Sequence, residues 1–429
     1  MSDTIFVQIA SYRDPELVPT VLDMFENAVR PENLHVCICW QHDDSENIDV
    51  LRKHPNIEII DVPYYESKGA CWARNQIQLR YNNEDYTLQL DSHHRFVPNW
   101  DETLLQMYKQ CQSMGSKKPL ITAYIPSFNP FDPKEKYEHV PWKMDFHKFL
   151  SEGAMFFVPS PIDNHEQFTS PIPARFYSAH FAFTVGKFCN EVRHDPEYYF
   201  YGEEISIAVR AFTHGYDLYH PHKVVCWHEY TRSARFKHWD DHDMSKADIK
   251  NIKQSWWERD AHCQKRNRVL FRMEDDPSIK IDPLYNFGTE RSLEEYEKYA
   301  GVRFKTKEVS VYTLSGKLAP TPYTDNYVSG SDTENLRLDK VSKPITIERS
   351  SFLKHNDINQ IILEIVNKEG KVMIANTFNQ FLVNIWKTCT NDVVFNVEFN
   401  TTNASDMFFS VIKFYDSFGR MLMSVKKEL

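Results

Sequence analysis

The run Tyr86-Thr-Leu-Gln-Leu-Asp-Ser-His-His94 decides the fold. Residues 86–90 are apolar and β-favouring in alternation and stop at Asp91-Ser-His93, the pattern of a buried strand that delivers polar groups at its end. Two earlier runs behave alike. Residues 5–10 lead into Ser11-Tyr-Arg-Asp14, and residues 34–40 lead into Gln41-His-Asp-Asp-Ser-Glu46. Helix-period segments at 15–28 and 69–81 and a further strand at 57–62 lie between them, and such alternation specifies a largely parallel α/β sheet. Ligands of an open parallel sheet bind at the carboxyl ends of its strands, so the polar clusters are expected to meet there.

Downstream, the pattern predicts a helix at 99–110 and a strand at 119–125. A Pro-rich, aromatic stretch at 126–173 follows, read as a partly irregular loop for the acceptor. A strand ending at 185, a helix over 202–214, a strand at 223–227 that stops at His228 and a long polar helix over 239–273 come next. Ser292, with Glu295 three residues on, caps a short helix. Beyond about residue 309 the period changes to short alternating runs punctuated by turn residues, which reads as an all-β sandwich. The expected domains are therefore 1–308, with a helical extension from about 239, and 309–429, with 321–333 as linker or exposed edge.

The 429-residue length suits two or three domains, and 41% hydrophobic with 26% charged residues is ordinary globular usage. A net charge of -10 argues against a nucleic-acid partner, which needs a concentrated positive surface. No segment reads as a signal peptide or membrane span, so a cytoplasmic location is expected. Eight scattered cysteines form no Cys-x-x-Cys pair and read as reduced core thiols, Cys37 and Cys39 sharing one strand face.

Three elements carry chemistry. Asp91 and His93, two apart in an extended segment, point the same way, and carboxylate plus imidazole suits manganese or another first-row ion. Tyr199-Phe-Tyr-Gly-Glu-Glu204 places Gly202 and two carboxylates at a helix start, where negative charge is tolerated; His228, at a strand end, can complete a metal site. Gly69-Ala-Cys-Trp-Ala-Arg-Asn75 offers Arg74 as a phosphate partner at a helix beginning with small residues. Singly, each has an ordinary reading as a solvated side chain or helix cap.

Together and in this order the elements resemble nucleotide-sugar-dependent glycosyltransferases of the GT-A fold. Ile9-Ala-Ser-Tyr-Arg-Asp14, Gly69 to Asn75, Asp91-Ser-His93, Tyr201-Gly-Glu-Glu204 and His228 look like the polypeptide α-N-acetylglucosaminyltransferases that modify hydroxyproline and, more distantly, the mucin-type polypeptide N-acetylgalactosaminyltransferases. The likeness covers roughly residues 4–305. It implies a GT-A domain followed by the β module, and a metal-dependent, retaining transfer of a sugar, N-acetylglucosamine for choice, from a UDP-sugar to a protein or glycan hydroxyl. The implied metal ligands are Asp91, His93 and His228, for Mn2+ or another divalent cation. Ser11, Arg13, Arg74, Ser92 and Arg232 are implied on the nucleotide and phosphates, with Asp43 or Asp44 on uracil or ribose. Glu203 or Glu204 serves the acceptor, with Glu203 favoured because it follows Gly202 directly. An inverting reaction with one of these glutamates as base, and a non-catalytic carbohydrate-binding protein, are the alternatives. Self-association through the β module is a further expectation.

Overall fold

Side chains of a strand alternate between faces, and here both faces are apolar, so helices must cover both. The computed structural model describes residues 3–231, 235–245 and 252–429, and its chain divides into two units, residues 1–296 and 297–429. The division falls about a dozen residues before the boundary read from the sequence pattern.

In the first unit the strands are β1 (Ile5–Tyr12), β2 (Leu34–His42), β3 (Ile57–Pro63), β4 (Tyr86–Asp91), β5 (His94–Phe96), β6 (Pro119–Thr122), β7 (Trp142–Phe149), β8 (Met155–Pro161), β9 (Ile172–Pro173), β10 (Phe181–Val185), β11 (Asp217–His220) and β12 (Cys226–His228). The main helices are α1 (Leu17–Glu26), α2 (Ala70–Gln78), α3 (Trp100–Ser113), α4 (Glu203–Thr213) and α5 (Trp256–Leu270). Eight strands form one sheet in the order β3-β2-β1-β4-β10-β6-β11-β9. β3, β2, β1 and β4 are parallel, and β10 runs antiparallel between β4 and β6. Val7, Ile9, Val36, Ile38, Leu88 and Leu90 pack on one face with Val21 and Met24 of α1 and Leu104 and Tyr108 of α3. On the other face Phe6, Cys37 and Cys39 meet Ala73 and Ile77 of α2. Each such buried aliphatic or aromatic side chain contributes roughly 1.5–3 kcal/mol of transfer free energy. The cysteines are free, as expected, and all but Cys389 are buried.

Register brings the polar clusters level: Ala10 lies opposite Asp91, and Tyr12 opposite Gln41. A second, two-stranded ladder pairs β5 with β12 and sets His94 opposite His228. Residues 126–173 are partly irregular, as expected, and within them β7 and β8 form an antiparallel hairpin whose Met144, Phe146 and Phe157 are buried. The helix expected over 239–273 is not continuous among the described residues: one turn spans His238–Asp241 and the long helix begins at Trp256, where Ser255 and Glu258 form a capping box; residues 246–251 lie outside the described part.

The second unit is all-β apart from short helices. β16 (Asp339–Ile347) pairs with β19 (Val393–Thr401), and β18 (Val372–Phe378), β17 (Gln360–Asn367), β20 (Phe408–Tyr415) and β21 (Met421–Glu428) form a four-stranded antiparallel sheet. Ile345, Val397, Ile361, Leu363, Ile412 and Phe414 share one core. β13 (Val302–Arg303), β14 (Glu308–Ser310) and β15 (Tyr327–Ser329) make a small separate sheet. Residues 321–333, read as a linker or exposed edge, lie inside this unit: they hold the edge strand β15, and Thr324 is buried and donates to the Met373 carbonyl at 2.7 Å.

Gly202, the residue before α4, has φ +92, and a Cβ there would stand 2.7 Å from Asn267 Oδ1. Gly202→Ala is expected to cost roughly 1–3 kcal/mol, since a left-handed non-glycine residue and a displaced Asn267 side chain add. The check is the urea midpoint followed by tryptophan fluorescence, which reports mainly on the first unit because Trp386 is the one tryptophan in the second; an unchanged midpoint contradicts the strain.

Candidate active site

The carboxyl ends of β1 and β4 and the start of α4 border a cleft of about 660 Å³, within the range of small-molecule sites. Asp91, Ser92, His93, Arg74, Glu203, Glu204 and His228 all line it. The donor atoms of Asp91, His93 and His228 lie within 4.8 Å of one another. Asp91 Oδ2 is 3.7 Å from His93 Nε2 and 3.5 Å from His228 Nε2. Those separations are long for hydrogen bonds, yet two donors each roughly 2.1 Å from a shared ion stand about 3.0–3.5 Å apart. Both ring nitrogens of His228 are buried without a hydrogen-bond partner among the described residues. The donor set therefore fits a divalent cation.

His93 is aimed by Asp14, whose Oδ2 receives Nδ1 at 2.8 Å and the Ser92 hydroxyl at 2.6 Å. This leaves His93 Nε2 facing Asp91, the carboxylate-imidazole arrangement that orients metal ligands. Burial pushes His228 down to about 4, so its ring is neutral at ordinary pH. Burial works to raise Asp91, but the His228 imidazole and the Arg74 guanidinium outweigh it and hold the carboxyl well below its usual range.

Arg74, expected beside a diphosphate, is committed to two carboxylates. Nη1 donates to Glu203 Oε1 at 2.5 Å and Nη2 to Asp91 Oδ1 at 2.7 Å, with the guanidinium buried. His194 Nδ1 lies 3.0 Å from the same Glu203 oxygen. Cys71, His194 and Glu203 converge closely enough to resemble a second metal group, but Arg74 already supplies the cation there. Burial opposes ionisation of Glu203, yet Arg74 and His194 bring it down to about 2. Glu204 is the contrary case. It accepts from Tyr124 Oη at 2.8 Å and from the Ala179 amide at 2.9 Å, and burial raises it to about 7. Of the two, Glu204 is the carboxylate without an ion pair among the described residues and able to exchange a proton near neutrality.

The remaining nucleotide-side residues divide. Arg13, left-handed at φ 46, bonds Asp43 at 2.5 Å and Asp241 at 2.8 Å, with its guanidinium carbon 3.7 Å from the Phe236 ring centroid and 4.8 Å from that of Tyr64. Asp44 is exposed and does not line the cleft, Ser11 is fully buried, and Arg232 lies outside the described residues. Sequence reasoning left out Tyr124, His194, Asp241 and Arg235, which lines the cleft with Nη1 3.7 Å from Asp14 Oδ2, and gave Asp14 no role. Asp14 had one signal, its place just past the first strand; the others come from segments with no shared spacing.

A family model for glycosyltransferase (GlcNAc) matches residues 4–53 and 47–306, well over half of the chain. The chain belongs to this glycosyltransferase family. No curated relative matches it. Among solved structures, this glycosyltransferase is similar to GalNAc-T7 with UDP, GalNAc and Mn2+, at 13% identity over 68% of this chain and 54% of that one, with a TM-score of 0.44. It thus spans about half the length of that structure. It is also similar to residues 1–349 of TarS from S. aureus, at 9% identity over 65% of this chain and 76% of that one, with a TM-score of 0.35. The TarS complex with UDP-GlcNAc aligns at 10% identity over 62% and 72%, with a TM-score of 0.35. Among the described residues of the glycosyltransferase, no helix is long and apolar enough to cross a membrane.

The two glutamates should separate in stability measurements. Glu203, lowered in the fold, stabilises the protein above about pH 4.5, and this is lost as the pH falls toward 2. Glu204, raised in the fold, holds a proton that the unfolded chain has released, so its burial costs stability progressively from about pH 4.5 to 7. At pH 7.5 Glu203→Gln is expected to lose roughly 3 kcal/mol by leaving Arg74 half-paired, while Glu204→Gln equals or exceeds the parent. Urea unfolding of both variants tests this, and the opposite ranking would refute the assignment.

Proposed function

We propose that this glycosyltransferase is metal-dependent and moves N-acetylglucosamine from UDP-GlcNAc to a hydroxyl of a protein or glycan, with retention at the anomeric carbon. One observation carries the reading: the donor atoms of Asp91, His93 and His228 converge in a cleft that Glu203 and Glu204 also line. A divalent cation held by these three residues would neutralise the diphosphate as it departs. The resemblance to hydroxyproline-modifying enzymes supports a polypeptide acceptor and retention.

The protein's own groups have distinct parts in this reading. Arg74 fixes the carboxylates of Asp91 and Glu203 relative to each other, so it acts by positioning. Arg13, which packs on the cleft-lining Phe236 ring, and its partner Asp43 would reach the uridine from just outside the lining. Glu204, with Tyr124 as donor, faces the entering acceptor hydroxyl and can orient it or take up its proton. Phe156, Phe200 and Tyr201 line the cleft with partly exposed rings, an apolar surface against which a pyranose face or peptide side chain can pack.

A second reading has one specific observation in its favour. A carboxyl raised to about 7 and without an ion pair among the described residues is suited to general base catalysis, the role Glu204 would have in an inverting transfer.

The test is a panel of nucleotide sugars with Mn2+, scored for UDP release with and without hydroxyl acceptors, followed by anomeric analysis of the product. UDP-GlcNAc is expected to be turned over, excess chelator to abolish turnover, and the product to be the α-anomer. Glu204→Gln is expected to retain UDP binding and lose transfer by about 10²-fold or more. Full activity in chelator removes the metal from the reading; a β-anomer selects the inverting one; no release from any nucleotide sugar rejects both.

A further inference from the structure

His94 immediately follows the Asp-x-His segment, and the proposed site assigns it nothing. It is fully buried, and neither ring nitrogen has a hydrogen-bond partner among the described residues. A neutral imidazole carries one N–H donor and one lone pair, and leaving both unmet in a dry interior costs of the order of 1–3 kcal/mol per group. The position is well fixed: the His94 amide donates to Thr20 Oγ1 of α1 at 2.9 Å, and that hydroxyl donates back to the His94 carbonyl at 3.1 Å.

His228, directly opposite across the β5–β12 ladder, has the same deficit. If its Nε2 lone pair is to face Asp91 Oδ2, its proton must sit on Nδ1 and needs an acceptor. The neighbours can be taken in turn. His93 has its Nδ1 on Asp14 and turns its Nε2 toward Asp91. His180 stacks on His228 nearly face to face, with centroids at 4.2 Å and planes at 26°, so its in-plane lone pair cannot reach, and its Nε2 already accepts from the Ile125 amide. The Tyr230 hydroxyl is turned toward the Ile125 carbonyl, to which it donates at 2.8 Å, and toward His180 Nε2 at 3.4 Å, while its contact with His228 is between the rings, with centroids 4.3 Å apart. That leaves His94, whose ring is inclined at 56° to His228 with centroids 5.0 Å apart. An N–H···N bond of roughly 2.9 Å between two imidazoles sets their centroids about 5 Å apart, the spacing these two rings have.

We propose that His94 is a positioning residue, accepting the Nδ1 proton of His228 and so fixing the tautomer in which His228 Nε2 faces the cation site. The proposal rests on the metal-site reading above. It places a neutral imidazole behind one ligand, where a carboxylate stands behind the other, His93.

Manganese binding to the full-length protein, measured by titration calorimetry without nucleotide or acceptor, tests it. His94→Phe keeps size and burial but removes the acceptor, and is expected to weaken Mn2+ binding 10- to 100-fold. His94→Asn and His94→Gln put a carbonyl near the two ring-nitrogen positions, and one of them should restore most of the affinity. Nitrogen-15 histidine spectra of the unaltered protein should show His228 protonated on Nδ1. Unchanged Mn2+ affinity in a folded His94→Phe protein, weakening that neither amide rescues, or a His228 protonated on Nε2 each overturns the role of His94 while leaving the metal site standing. A parent protein that binds no Mn2+ instead overturns the metal site, and the role of His94 with it. Should His94→Phe fail to fold, the tautomer and the two amide variants decide.

Discussion

The Arg74 guanidinium, buried between Asp91 and Glu203, is the interaction on which the site depends. Three charges enclosed together are tolerable only if each is paired, because an isolated buried ion carries a desolvation penalty of several kcal/mol. The pairing fixes geometry as a by-product. Asp91 belongs to the end of β4, Arg74 to α2 and Glu203 to the start of α4, so one cation ties three separate stretches of chain to a common point. It also divides the adjacent glutamates: Glu203 is held as an anion, while Glu204, one residue on, receives only neutral donors and stays near the point of proton exchange.

Much of the first unit was legible because burial on both sheet faces leaves strong marks in sequence. Continuous apolar strands such as 34–40 admit few readings, and polar clusters at their ends point to a ligand edge. Asp91 and His228 are legible as candidate ligands because each stops an apolar run, and His93 because it stands two residues past Asp91. The less legible parts lack such periodicity. The β7–β8 hairpin lies in a proline- and aromatic-rich stretch whose strands are stabilised by their pairing with each other, through contacts that local pattern does not record. The start of α5 is hard to read because the helix is mostly polar and carries no continuous apolar stripe; the Ser255–Glu258 capping box is the local mark of where it begins. The commitment of Arg74 to carboxylates was invisible because His194 and Glu203 lie more than a hundred residues away along the chain. Glu203 and Glu204 are neighbours in the chain, and only tertiary contacts reveal which one the arginine meets.

The short β5–β12 ladder has a consequence for how the molecule is made. It joins residues 94–96 to residues 226–228, so about 130 residues must leave the ribosome between the first half of the ligand set and the second. The parallel strands β1 to β4 can associate early, but β4 then presents an open edge until β10 arrives some 90 residues later. Long-range pairings of this kind close slowly, and an unpaired edge exposed in the meantime is prone to intermolecular association. A nascent chain halted before residue 228 thus carries the Asp-x-His loop without its third imidazole, and the cleft becomes complete only as the chain beyond β12 emerges.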